Sequence, residues 1–155
     1  MELVQKSFNE LTSLELYKII QLRSKIFVVE QNCVYQDLDD KDLISHHIFY
    51  KEHDNILACT RAIPKGIFFE EASFGRVCAD SQFRGQKLGI KVVNSTIKYM
   101  FDVMGEDKIT IRAQEYLRKF YAKFGFKEIC DVYDEDGIYH VDMMLTKEDY
   151  KIIVK

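Results

Sequence analysis

Residues 75–93 read GRVCADSQFRGQKLGIKVV. The strand-like run FGRVCAD (74–80) enters this stretch, the helix-like run GIKVVNSTIKYM (89–100) leaves it, and RGQKLG (84–89) joins the two. A helix N-terminus presents unpaired N–H groups and about half a positive charge, so a glycine-bearing strand-to-helix turn suits an anion, phosphate above all. Gly85 removes a side chain where a phosphate would approach the main chain, and Arg84 and Lys87 add cationic donors. The same letters also fit a tight turn whose glycines serve packing only. A short glycine pattern does not decide between them.

Working outward, residues 2–8 (ELVQKSF) read as a strand, and Thr12 with Glu15 forms a capping box that opens a helix carrying Leu14, Tyr17, Ile20, Ile26 and Phe27. The polar run 31–42 (QNCVYQDLDDKD) reads as a loop with a helical turn. HHIFYKE and ILACTRAI, separated by HDN, read as a hairpin. Along the helix after the turn, Gly89, Val93, Ile97, Met100, Phe101 and Met104 form one stripe, so Gly89 is expected to face the sheet. KITIRA alternates as a strand, and EYLRKFYAKF is a short helix with Gly125 as its left-handed cap. KEICDVY and IYHVDMML flank DEDG, an Asp-Gly hairpin signal, and TKEDYKIIV reads as a last helix. The order predicts an α+β domain over residues 1–155 with a mixed, mostly antiparallel sheet flanked by helices.

The whole chain narrows the functional classes. Its 155 residues fit one domain with a real core, and a formal charge of −3 argues against a nucleic-acid partner. The start, MELVQKSFNE, lacks the basic and apolar regions of a leader, and no apolar run approaches the ~20 residues of a membrane span. The four cysteines (Cys33, Cys59, Cys78, Cys130) show no metal-ligand spacing, and three sit in apolar strand-like contexts that predict buried thiols. A cytoplasmic protein without a bound metal or membrane partner is expected.

Five segments taken together carry a resemblance: LRSKIFVVEQNCVYQDLD, GRVCAD, FRGQKLG, AQEYLRKFYAKFGF and EDGIYH. In this order they resemble the GNAT superfamily of acetyl-CoA-dependent acyltransferases, most closely its ElaA-like branch, over nearly the whole chain. The resemblance implies the acyl-CoA N-acyltransferase fold, acetyl-CoA as co-substrate and a small-molecule or peptide amine as acceptor. One departure stands out: Lys87 occupies a position where the general turn has glycine. A lysine fits there if its backbone stays helical and only its N–H faces the phosphate.

The resemblance also assigns roles. Val77, Cys78 and Ala79 would pair through their backbone with the pantetheine arm, with the Val77 N–H polarising the thioester carbonyl. The amides of Arg84, Gly85, Gln86, Lys87, Leu88 and Gly89 would hold the pyrophosphate. Gln114 would bind the pantetheine or order the site, and Phe124 would touch the cofactor. Tyr121 would protonate the departing thiolate, although a core tyrosine on the stripe of Leu117 and Phe124 is the plainer reading. The base that neutralises the amine is left among Glu30, Asp37, Asp39, His46, His47 and His140, with Glu30 and His140 preferred. Arg76 should point opposite Val77 and could pair with one of the acids. Cys78 has no neighbour in sequence to activate it, so a covalent route through it is not expected. The alternative to an enzyme is a coenzyme A-binding sensor or interaction module on the same fold. The acceptor's identity is open, and so is a homodimer.

Overall fold

A computed structural model describes residues 1–83 and 85–154. Strand β1 (Glu2–Ser7) leads to helix α1 (Ser13–Arg23), where the Thr12 side chain accepts the Glu15 N–H and Glu15 returns the bond. The buried face of α1 is Glu15, Ile19, Leu22 and Arg23, while Leu14 and Tyr17 are exposed. The expected stripe is therefore corrected by one step around the helix. The capping carboxylate of Glu15 also binds Lys6 at 2.9 Å, and that pairing turns Glu15 toward β1. After Arg23 the chain widens into a π-helical segment, Ser24–Glu30.

Strands β2 (His46–Glu52), β3 (Asn55–Ile63) and β4 (Ser73–Ala79) continue antiparallel from β1, in the order β1-β2-β3-β4. Both faces of this sheet are covered. Ile48 and Leu57 join the core with Val92, Val93 and Ile97 of helix α2 (Leu88–Asp102). Phe49, Ile56, Cys59 and Cys78 join Ile19 and Leu22 of α1. A strand buried on two faces has no polar side to show, which is why ILACTRAI lacks alternation. In α2 the core positions fall to Leu88 and Val92, and a Cβ built on Gly89 would meet nothing within 4 Å. Gly89 thus opens onto free space rather than the sheet.

The second sheet contains β5 (Lys108–Gln114), β8 (Ile138–Thr146) and β6 (Lys127–Glu128), with β7 (Tyr133–Glu135) also paired to β8. Between β5 and β6 lies helix α3 (Arg118–Ala122), and α4 (Lys147–Ile153) ends the chain behind a Thr146 cap. The single strand expected at 127–133 is broken into two. Cys130 is exposed there, its sulfur accepting the Asp142 N–H, so only Cys59 and Cys78 are the buried thiols. Asp136 and Gly137 both take positive φ between paired Glu135 and Ile138, as an Asp-Gly hairpin requires.

The two sheets meet at one point. Ala72 bridges Ile109 in parallel, and the Thr110 N–H donates to the Ala72 carbonyl at 2.9 Å. Beyond it, β4 and β5 have no pairing among the described residues, and a cavity of about 530 Å³ lies between them. Gly125, at φ +103°, caps α3, and an added Cβ would collide with Ile153 and Leu145. Gly125→Ala should lower stability by about 1–3 kcal/mol in urea unfolding, from backbone strain and overpacking together.

Candidate functional site

The cleft is built where β4 departs from regular pairing. Cys59 opposes Cys78 and Arg61 opposes Gly75, so Arg76 and Val77 together face the single residue Thr60. This is a β-bulge, and Arg76 absorbs it with φ +50°. Arg76 reaches Asp37 on the α1 side while Val77 packs against the core on the α2 side, so the two point to opposite faces as expected. Past the bulge, the Asp80 N–H donates to the Leu57 carbonyl at 2.8 Å. Ala58 and Ala79 are then a non-hydrogen-bonded pair, whose Ala79 N–H and C=O turn away from β3 toward the open edge. Val77, two residues earlier, lies on that same side. The N–H of Cys78 turns to β3, and its side chain lies buried against Cys59 with sulfurs 3.4 Å apart. The Cys59 hydrogen bond and burial push the Cys78 thiol well up, away from nucleophilic use.

Downstream, Gly85 takes φ +93° with open space around its Cβ position, and the Gln86 N–H turns back to the Phe83 carbonyl. Arg84 lies outside the described residues, so its expected phosphate contact has no structural account. Lys87 is left-handed, φ 54° and ψ 39°, which overturns the expectation of a helical backbone. That conformation is why glycine suits this position, and a lysine holds it at a cost of roughly 1 kcal/mol. Lys87 gives α2 no side-chain cap, and the first helical bond runs from the Lys91 N–H to the Lys87 carbonyl at 3.0 Å. The amides of Gly89 and Ile90 are left without a protein acceptor among the described residues. Leu88 has its side chain in the core, leaving it only a backbone role.

Across the cleft stand Gln114, Tyr121 and His140. Gln114 ends β5 directly opposite His140 on β8. The His140 ring stacks on Tyr133, and its Nδ1 lies 2.9 Å from the Ile138 carbonyl. Since a carbonyl only accepts, Nδ1 carries the proton and Nε2 is free to take one. Tyr121 is buried among Phe74, Phe120 and Phe126, and burial pushes its phenol up to about 12. Phe124 packs in the core and is not among the cleft-lining residues.

The other contenders for the base lie elsewhere. Glu30 is exposed, does not line the cleft, and accepts the Ser81 hydroxyl at 3.0 Å. His46 meets the Tyr99 hydroxyl at 2.8 Å, and His47 is buried with Nε2 2.9 Å from the Asp42 carbonyl. Burial lowers the His47 imidazole despite that bond. Asp37 and Asp39 are held in a network of which the sequence announces one part, the pairing of Arg76 with an acid of this group. Arg23 binds Asp37 at 2.9 Å and Asp42 at 2.7 Å, and Arg61 grips both Asp39 oxygens at 2.6 and 2.7 Å. Arg76 pairs with Asp37 at 2.7 Å and donates to its carbonyl at 3.0 Å. Three guanidiniums thereby match three carboxylates and fasten the 31–42 loop to α1, β3 and the bulge. The signal was an arginine inside the apolar strand ILACTRAI, since a buried arginine needs paired acids.

Burial alone would raise the Asp39 carboxyl, but hydrogen bonds and charge from Arg61 outweigh it and hold the group well below the ordinary range. Asp42 is lowered in the same way, chiefly by Arg23. Among the described residues no group of three or more His, Cys, Asp or Glu is placed to hold a metal ion, and no helix is long and apolar enough to cross a membrane.

Comparison with known proteins adds an independent line. The acetyltransferase (GNAT) domain family matches residues 21–147. Protein ElaA of Escherichia coli (strain K12) is 36% identical over 137 residues, which cover 87% of this chain and 90% of that protein. An acyl-CoA N-acyltransferase structure from Pseudomonas aeruginosa matches with a TM-score of 0.86 at 32% identity, covering 92% of this chain and 97% of the other. The E. coli ElaA structure matches with a TM-score of 0.84 at 34% identity and the same coverage.

The depressed carboxyls set a pH dependence. Their folded values lie below the unfolded value near ~3.9, so their stabilisation is full above roughly pH 5 and is lost as pH falls toward the folded values. Asp42→Asn should cost about 3–5 kcal/mol at pH 7 by removing a negative charge shared by the buried Arg23 and Arg61, and should flatten the loss of stability below about pH 5. Urea unfolding between pH 3 and 7, pH values chosen around that window, checks both effects.

Proposed function

This chain belongs to the GNAT acetyltransferase family, and from that premise we propose that it transfers an acetyl group from acetyl-CoA to a primary amine by direct attack in a ternary complex. The observation that carries this is the unpaired edge of β4, whose outward main-chain groups lead to the uncapped N-terminus of α2. A pantetheine arm is an extended amide chain suited to such an edge, and a pyrophosphate is an anion suited to such a helix end. The open space at Gly85 and Gly89 leaves room for both.

Acetyl-CoA supplies a thioester already activated for attack. Val77 holds its N–H where the carbonyl oxygen gains charge, which is worth most in a dry cleft. His140 offers Nε2 to the proton that the amine must lose. Tyr121 donates a hydrogen bond to the departing sulfur. Burial pushes its phenol up to about 12 and disfavours a bare thiolate in the same cleft, so the hydroxyl meets the sulfur as a hydrogen-bond donor and supplies the proton it takes on leaving. Gln114, opposite His140, orders the wall between β5 and β8. Because the thioester is reactive, positioning and a few hydrogen bonds supply most of the rate.

Two measurements test the proposal. Gly89→Phe adds bulk where the fold has free space, so stability should hold while acetyl-CoA affinity in calorimetry falls by about a hundredfold or more, each hundredfold being ~2.7 kcal/mol. Unchanged affinity would sink the assigned phosphate site. Tyr121→Phe should lower kcat by about tenfold to a hundredfold with little change in acetyl-CoA affinity, the loss expected for one hydrogen bond to a charged atom.

A further inference from the structure

We propose that the accepted amine carries its own carboxylate, held between Arg76 and Arg112, and that its body is apolar; this rests on the acetyl-transfer reading above. The two guanidiniums reach the cleft from its two walls, Arg76 from β4 and Arg112 from β5. Each is fastened along one edge and open along another. Arg76 holds Nε 2.7 Å from the Asp37 carboxylate as an ion pair without an aligned hydrogen bond, donates Nη2 to the Asp37 carbonyl and, at 3.5 Å, to Asp39, and Nη1 makes no hydrogen bond among the described residues. Arg112 gives Nη1 to Glu135 at 2.9 Å, with Asp142 3.6 Å from Nε, and Nη2 likewise makes no hydrogen bond there. Neither Nη atom is buried, and the two side chains are 25% and 29% exposed. Arg61 also lines the cleft but is spent on Asp39 and Asp42.

Both open guanidiniums are also fixed in orientation by aromatic faces. Arg76 lies 5.8 Å from the Tyr35 centroid, and Arg112 lies 4.9 Å from that of Phe68 and 5.7 Å from that of Tyr133. A planar cation braced by an acid and a ring, with free N–H groups toward a cavity, is arranged to receive a carboxylate. The surrounding surface is apolar: Tyr35, Phe68, Tyr116 and Ile138 all line the cleft and are exposed. A polyamine would need several free carboxylates. The lining offers Glu135, already tied to Arg112, and Asp136 at the hairpin tip. The class that fits is an amino acid with an apolar side chain, acetylated on its amine.

Matched pairs isolate the carboxylate: phenylalanine against phenethylamine and leucine against isopentylamine, with spermidine as the cationic contrast. Coenzyme A release is followed with each, and acetyl-CoA binding is measured separately by calorimetry. The amino acid of each pair should exceed its decarboxylated partner in kcat/KM by about tenfold or more, the scale of charge-assisted hydrogen bonds. In Arg112→Gln this ratio should fall toward one, whereas damage to the fold alone would lower both members and leave the ratio standing. Equal or better turnover of the decarboxylated amines or spermidine overturns the carboxylate site. So does normal acetyl-CoA binding with no turnover of either amino acid, and in that case the cofactor assignment stands. Loss of acetyl-CoA binding in the unaltered protein would instead remove the reading beneath it.

Discussion

One main-chain constraint organises this molecule: among the described residues β4 has a strand on one side and, past Ala72, none on the other. Peptide groups removed from water need partners, so an open edge inside a fold is costly unless something extended is meant to fill it. Closing the gap would take only continued pairing of β4 with β5, which are already parallel where they touch. The bulge at Arg76 prevents that by turning the strand out of register, and the left-handed backbone there is the local strain that keeps the edge open.

The bulge does not stand alone. Arg76 reaches the Asp37 carboxylate and carbonyl, Asp37 is shared with Arg23 of α1, and Arg61 of β3 ties Asp39 and Asp42 into the same cluster. Ion pairs of this kind add little net stability over an apolar core, yet removing one member strands a buried charge. Their effect is geometric. A polar loop with few apolar side chains to bury, residues 31–42, is held against the sheet by directional bonds, and Tyr35 is thereby placed at the cleft beside Arg76.

Much of this was legible in the sequence, and the failures share a cause. The capping box at Thr12, the Asp-Gly hairpin and the cap at Gly125 depend on local backbone chemistry, and the structure shows all three. The turn at 84–89 was located, but the left-handed Lys87 was not, because a lysine carries no local sign of positive φ. Leu14 and Tyr17 were placed in the core because they are apolar, although a charged pair, Glu15 with Lys6, sets which face of α1 turns inward. Of the Arg–Asp cluster only the pairing of Arg76 with an acid is legible, and the parts of Arg23 and Arg61 are not, for the same reason. Its members are spread from residue 23 to residue 76, and only tertiary structure brings them together.

This division follows how each half of the site binds. The proposed cofactor side is made of main-chain amides, open edges and missing side chains, which many sequences can supply and which a few glycines announce. A lysine can stand at one of those positions if the amides, not the side chain, carry the grip, as proposed. The proposed acceptor side is made of side chains from β4, β5, the 31–42 loop and the hairpin near His140, whose meaning depends on which partners each has already satisfied. Arg61 and Arg76 look alike in sequence, yet one gives both terminal nitrogens to acids and the other keeps one terminal nitrogen unbonded among the described residues. On the proposed reading, acceptor choice is written in leftover hydrogen-bonding capacity, a quantity that exists only once the network has formed.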